Sequence, residues 1–197
     1  DFGNEAIEAN LRALPWGDQT DEDVVEYRDA WGTVCRRLRG YTSGEVLHPA
    51  IPDWDAWRDY QFPPPPSDEY FEQLAAQVAE RHPEQFVCAS GGGFFQLMSH
   101  LRGPANFYMD LAEDHPGAHE LADRMVEYNL HIITGAVRAG VDCIRFGDDW
   151  GGQDRLLIHP DAWRRFFKPR YARMFAAARD GGVHVWFHTD GWTLDIL

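Results

Sequence analysis

Two short signatures hold the side chains best suited to chemistry: Gly147-Asp148-Asp149-Trp150-Gly151-Gly152-Gln153 and His188-Thr189-Asp190-Gly191. Asp148 and Asp149 are adjacent, so on an extended strand their carboxylates point to opposite faces. One is expected to reach a cavity as a catalytic or substrate-holding carboxylate. The other is left to tie down loop amides or an arginine, and the sequence leaves open which is which. His188 and Asp190 lie two residues apart and share one side of a strand end. That spacing suits two metal ligands, or a histidine held by a carboxylate. Zinc needs a third ligand, which no neighbouring residue supplies. Trp150 can wall a flat ligand or pack its own loop, and Gln153 can orient a carbonyl or brace the turn. Arg102, just before Gly103-Pro104, can meet an anionic substrate group or form a surface salt bridge.

Both signatures follow short apolar runs, Cys143-Ile144-Arg145-Phe146 and Val183-His184-Val185-Trp186-Phe187, which read as buried parallel strands delivering their last residues to one mouth. Within the second run His184 is expected to be a packed or helix-facing residue. A third such unit is Phe86-Val87-Cys88-Ala89 before Ser90-Gly91-Gly92-Gly93. Helical spacing predicts helices over 68–81 behind a Ser67 cap, from Phe94 to His100, from Pro104, over 118–139 up to Gly140, and from His159-Pro160 to Gly181-Gly182, with Pro169 kinking or dividing the last. A short helix is expected over 4–14, an acidic turn at 21–23, and a short helix after Asp53. Residues 27–66 read as an excursion of short extended pieces closed by the rigid Pro63-Pro64-Pro65-Pro66 spacer. Repeated strand–glycine–helix units predict an α/β fold with a parallel sheet, a (β/α)₈ barrel with its chemistry at the C-terminal strand ends. An open doubly wound sheet is the alternative. GxGxxG spacing, a Walker lysine, GxSxG and HExxH are all absent.

With 18 basic against 32 acidic residues in 197, the formal net charge is −14. A field of that sign disfavours nucleic-acid backbones and anionic lipid, while leaving room for an anionic substrate held by a local arginine. The three cysteines form no CxxC pair, and Cys88 and Cys143 read as small buried hydrophobes of a reduced, cytoplasmic protein. The opening on Asp1 and the apolar ending at Leu197 read as a single barrel domain of which this is a part.

Taken together, Asp29-Ala30-Trp31-Gly32, Leu97-Met98-Ser99-His100-Leu101-Arg102-Gly103, Asn106-Phe107-Tyr108-Met109-Asp110, the two signatures above and Phe166-Phe167-Lys168-Pro169-Arg170-Tyr171 resemble the uroporphyrinogen decarboxylase superfamily. That superfamily also contains zinc-dependent corrinoid and thiol methyltransferases. The resemblance implies a (β/α)₈ barrel of which this segment covers roughly the first half, and a homodimer. It adds Trp31 to the substrate-binding candidates. In the methyltransferase branch a strand-end His-x-Cys supplies two zinc ligands; here His188 matches the histidine and Asp190 stands at the cysteine. The expected activity is methyl transfer or demethylation of a small metabolite, with zinc and a corrinoid protein as partner. Tetrapyrrole decarboxylation and a non-catalytic binding module are the alternatives; the arginine cluster and strand-borne aspartate implied for decarboxylases are not found.

Overall fold

The computed structural model describes residues 6–8, 24–38 and 44–196. The expected turn at 21–23 and the ends of the 4–14 segment lie outside them. Contacts divide the chain into two compact units, one of residues 1–11, 65–95 and 122–197, the other of residues 12–64 and 96–121.

The first unit is built on four parallel strands, β1 (Ala6–Glu8), β5 (Phe86–Ser90), β6 (Cys143–Gly147) and β7 (His184–His188), adjacent in that order. Their spatial order follows the chain without reversal, which is the winding of a (β/α) barrel and lacks the switch point of a doubly wound sheet. Closure into a full barrel is not a property of these four strands. Residues 6–8 were expected to be helical; instead they pair with Phe86, Val87 and Cys88. A three-residue strand carries little periodic signal, and pairing with β5 overrides local propensity.

Helices follow where the sequence places them. In α2 (Asp68–Arg81) the Ser67 hydroxyl accepts from the Tyr70 N–H at 3.3 Å, Asp68 and Glu69 face the positive end of the helix dipole, and Phe71, Leu74 and Val78 form the buried stripe. Pro116–Arg138 forms α5, closed by Gly140 at φ +85°. From Pro160 the chain runs through α6 (Pro160–Ala162), a π-helical turn over Trp163–Phe167, and α7 (Lys168–Asp180). The π turn has a cause: Pro169 has no N–H to continue the ladder, and the Lys168 N–H reaches back to the Trp163 carbonyl. Tyr171 and Phe175 of α7 then pack on Phe146 and Phe187, so Ile144, Phe146, Val185 and Phe187 face α7. By alternation Cys143, Arg145, Gly147, His184, Trp186 and His188 face the other way. His184 therefore does not face a helix as expected; it is exposed beside Phe86, ring centroids 5.9 Å apart.

The second unit contains an antiparallel meander of β2 (Val24–Arg28), β3 (Val34–Leu38) and β4 (Glu45–His48). The β2–β3 turn is tied by Asp29, whose carboxylate accepts from the N–H groups of Trp31 and Thr33 at 3.0 and 2.9 Å. Asp53 caps α1 (Trp54–Trp57), accepting from Ala56 at 2.7 Å. Helix α3 (Phe95–Arg102) leads through Gly103 into α4 (Pro104–Ala112). No helix among the described residues is long and apolar enough to cross a membrane.

Candidate active site

The C-terminal ends of β6 and β7 are in register, with Gly147 opposite His188. Beyond them the two loops are stitched backbone to backbone: Asp148 N–H to His188 carbonyl at 3.1 Å, Gly151 N–H to Asp190 carbonyl at 3.1 Å, and Trp192 N–H to Gly152 carbonyl at 2.8 Å. Such close approach requires glycine. A Cβ on Gly191, which sits at φ +80°, would strike the Gly151 carbonyl, and a Cβ on Gly151 would strike the Trp192 backbone.

Strand alternation separates the adjacent aspartates. Asp148 is 2% exposed; its carboxylate accepts from the Phe95 N–H at 3.2 Å and from the Tyr171 hydroxyl. Burial, and then the Asp148 charge, hold Tyr171 protonated well above the ordinary phenol range. Asp148 is thus an anchor joining the strand end to the start of α3 and to α7, the tying role that the sequence left to one of the two aspartates. Trp150 is 1% exposed and packs among Phe95, Phe167, Tyr171 and Trp163. Its ring packs as a core element, the second of the two roles the sequence left open.

Asp149 turns the other way. Its Oδ1 lies 3.9 Å from His188 Nε2, which is itself 3.6 Å from Asp190 Oδ1. One ligand atom from each of the three falls within 4.8 Å of the others. The Asp190 N–H donates to Asp149 Oδ1 at 3.1 Å, so the β7 loop orients the β6 carboxylate directly. All three side chains are accessible, at 40–75% exposure. The donor set is one imidazole and two carboxylates, which suits zinc, manganese or ferrous iron. Tetrahedral bonds of about 2.1 Å put ligand atoms about 3.4 Å apart; the two histidine contacts at 3.9 and 3.6 Å are close to that, and the full set, within 4.8 Å, closes on a divalent ion by side-chain rotation. Asp149 is the third potential donor beside His188 and Asp190, brought there by the neighbouring strand.

Gln153, Arg102 and Trp31 are not members of that cluster. Gln153 is exposed in its turn. Arg102 is 4% exposed in the second unit, donating to Asp110 at 2.8 Å and to the Ile51 carbonyl at 2.6 Å, with Trp54 4.1 Å from its guanidinium. It organises packing there, its ion pair with Asp110 being buried where the sequence left open a surface salt bridge or an anion contact. Trp31 is half-buried in the same unit; its carbonyl accepts from Tyr60 and its ring meets Phe62 edge-on at 5.2 Å.

The family model for uroporphyrinogen decarboxylase matches residues 41–197, which includes both strand ends and the whole of the Asp149, His188 and Asp190 cluster. The chain belongs to the uroporphyrinogen decarboxylase family. Among curated relatives, the uroporphyrinogen decarboxylase of Geobacillus kaustophilus is 34% identical over 63 residues, covering 32% of this chain and 17% of that protein. That of Mycobacterium tuberculosis is 33% identical over 100 residues, covering 47% of this chain and 26% of that protein. A methyltransferase from Methanosarcina mazei shares the fold, with a TM-score of 0.62 over 85% of this chain and 49% of that one, at 18% identity. The chain thus spans about half the length of that methyltransferase and a smaller part of the curated decarboxylases.

Proposed function

We propose that this uroporphyrinogen decarboxylase family protein is a metal-dependent methyltransferase, with Asp149, His188 and Asp190 holding a divalent ion at the ends of β6 and β7. The observation that carries the reading is the approach of Asp149 to within 3.9 Å of His188, which would complete a three-ligand set. Zinc bound there would supply Lewis-acid chemistry, lowering the pKa of a substrate thiol. The chain's own residues hold the geometry. Asp190 orients Asp149 through its backbone N–H, Asp148 fixes the strand end from behind, and the crossed glycine loops keep both acids at one mouth. The methyl group would come from a corrinoid partner protein. The fold shared with the Methanosarcina mazei methyltransferase supports this reading.

The names of the curated relatives favour a second reading, decarboxylation of a tetrapyrrole. The two differ in their need for metal. Protein purified without chelator is expected to hold about one divalent ion per chain, and His188→Ala to abolish it. Turnover of a porphyrinogen by metal-free protein would sink the methyltransferase reading and support the decarboxylase. Failure to bind metal, thiol, corrinoid or tetrapyrrole would favour a non-catalytic module.

A further inference from the structure

Helix α7 has two flanks beside its buried stripe of Tyr171, Met174 and Ala178, and they are filled differently. On one flank Arg170 meets Asp123 at 2.7 Å and Arg173 meets Glu127 at 2.6 Å, so a pair of acids on α5 answers a pair of arginines on α7. On the other flank Lys168, Ala172, Phe175 and Arg179 recur at i, i+4, i+7 and i+11, a single stripe at about 3.6 residues per turn. At about 100° per residue the flanks lie about 160° apart, with the buried stripe between them. The second stripe borders a groove of about 250 Å³. Its apolar floor is Phe175 and Tyr171 of α7 with Phe187 of β7, the ring centroids 5.9 and 5.2 Å from that of Phe187. Strand β7 ends the sheet order and pairs with β6 along one edge. Lys168 and Arg179 are exposed at the two ends of the stripe, and among the described residues no carboxylate pairs with either.

We infer that this groove docks an acidic amphipathic helix of a partner protein, with its apolar residues on Phe175 and Phe187 and its carboxylates on Lys168 and Arg179. Charge sets the partner's chemistry. In a chain with 18 basic and 32 acidic residues, two cations at the ends of an apolar floor call for acids, as α5 supplies them to Arg170 and Arg173 on the opposite flank. Shape sets its secondary structure. The small Ala172 leaves a hollow beside Phe175 that the side-chain ridge of a second helix can enter, and the stripe runs about 16.5 Å at about 1.5 Å per residue, the length of about three helical turns. The inference is independent of the function proposed above, since Phe187 faces α7 while His188, next in the strand, faces the other way.

Fluorescence anisotropy on the intact protein, with a dye-labelled helical peptide held by a lactam bridge as probe, tests it. The probe carries glutamates at the spacing of Lys168 and Arg179 and leucines at that of Ala172 and Phe175; a control peptide has lysines in place of those glutamates. The protein is expected to bind the glutamate peptide at least about tenfold more tightly than the control, and the double variant Lys168→Glu with Arg179→Glu to reverse that order. Ala172→Gln, which fills the hollow at an exposed position without adding charge, is expected to weaken the glutamate peptide several-fold. Failure of the glutamate peptide to bind, equal binding of the two peptides, a preference that survives the charge reversal, or undiminished binding to Ala172→Gln would overturn the inference. Should the double variant fail to fold, an undiminished preference in Lys168→Glu alone overturns it equally. A dimer in sedimentation velocity that the charge reversal dissociates would place a second copy in the groove and overturn the partner helix.

Discussion

Tyr171 and Asp148 are buried together, the phenol donating to the carboxylate, while Asp149 next in the chain points to solvent 3.9 Å from His188. Their roles are separable by mutation. Removing the Asp148 carboxylate strands a buried Tyr171 hydroxyl and the Phe95 N–H, a loss of about 1.5–3 kcal/mol for hydrogen bonds to a charged group. Asp148→Ala is therefore expected to lower the urea-unfolding free energy by that amount, and Tyr171→Phe by a similar or smaller one. Asp149→Ala should leave stability within about 0.5 kcal/mol, as accessible surface positions do. Equal destabilisation by Asp148→Ala and Asp149→Ala would contradict the division.

The glycine crossing ties stability to the site. Gly191→Ala forces a left-handed backbone onto a residue with a Cβ and drives that atom into the Gly151 carbonyl. A loss of more than about 1 kcal/mol is expected. Metal affinity should fall with it, although no ligand is altered. Isothermal titration with zinc measures the second effect, and an unchanged affinity would show that the crossed loops do not position the acids.

Asp190 stands where the resemblance implies a cysteine, and its replacement by that residue should shift metal preference. Asp190→Cys is expected to favour cadmium and zinc over manganese by at least about tenfold relative to the parent, because thiolate is the softer ligand. The cobalt derivative should gain a thiolate-to-cobalt charge-transfer band. Absence of that band in a cobalt-loaded variant would remove Asp190 from the ligand set.

Arg102 is expected to act on folding and not on ligand. Arg102→Ala leaves Asp110 buried without its cation, a loss of about 3–5 kcal/mol when a buried pair is broken. Arg102→Ala with Asp110→Ala should recover part of it. Little loss of stability alongside a large rise in substrate KM would return Arg102 to the binding site.

Alkaline pH should unfold the protein through groups held neutral. Burial, and then neighbouring Cys88, push the Cys143 thiol from 9.0 up to about 12; burial, and then Cys35, push Tyr27 from 10.0 up to about 12. Each raised group contributes fully below its unfolded value, because both states are then protonated. Above it the unfolded chain ionises first, so stability falls from about pH 9 towards about pH 12. Urea midpoints are expected to drop across that window, and Cys143→Ala to make the drop shallower. A flat profile to pH 11, about the middle of the window, would contradict the burial of these groups.

The sequence by itself determined the helices and three of the parallel strands. Ser67, Pro104, Gly140 and Pro160 act through local hydrogen bonding and fixed backbone angles, which need no distant partner. It also determined that Asp148 and Asp149 must part, because alternation is a property of any extended strand. Only the tertiary structure decided which of them turned inward. That depended on Tyr171 and the start of α3 arriving behind β6. The same holds for Asp149 joining His188 and Asp190, which required β6 and β7 to pair in register across an intervening helix. Arg102 likewise reads from the sequence as a polar loop residue until Asp110, Ile51 and Trp54 enclose it. Residues 6–8 became strand because β5 offered them a ladder, a partner eighty residues away that no local pattern encodes.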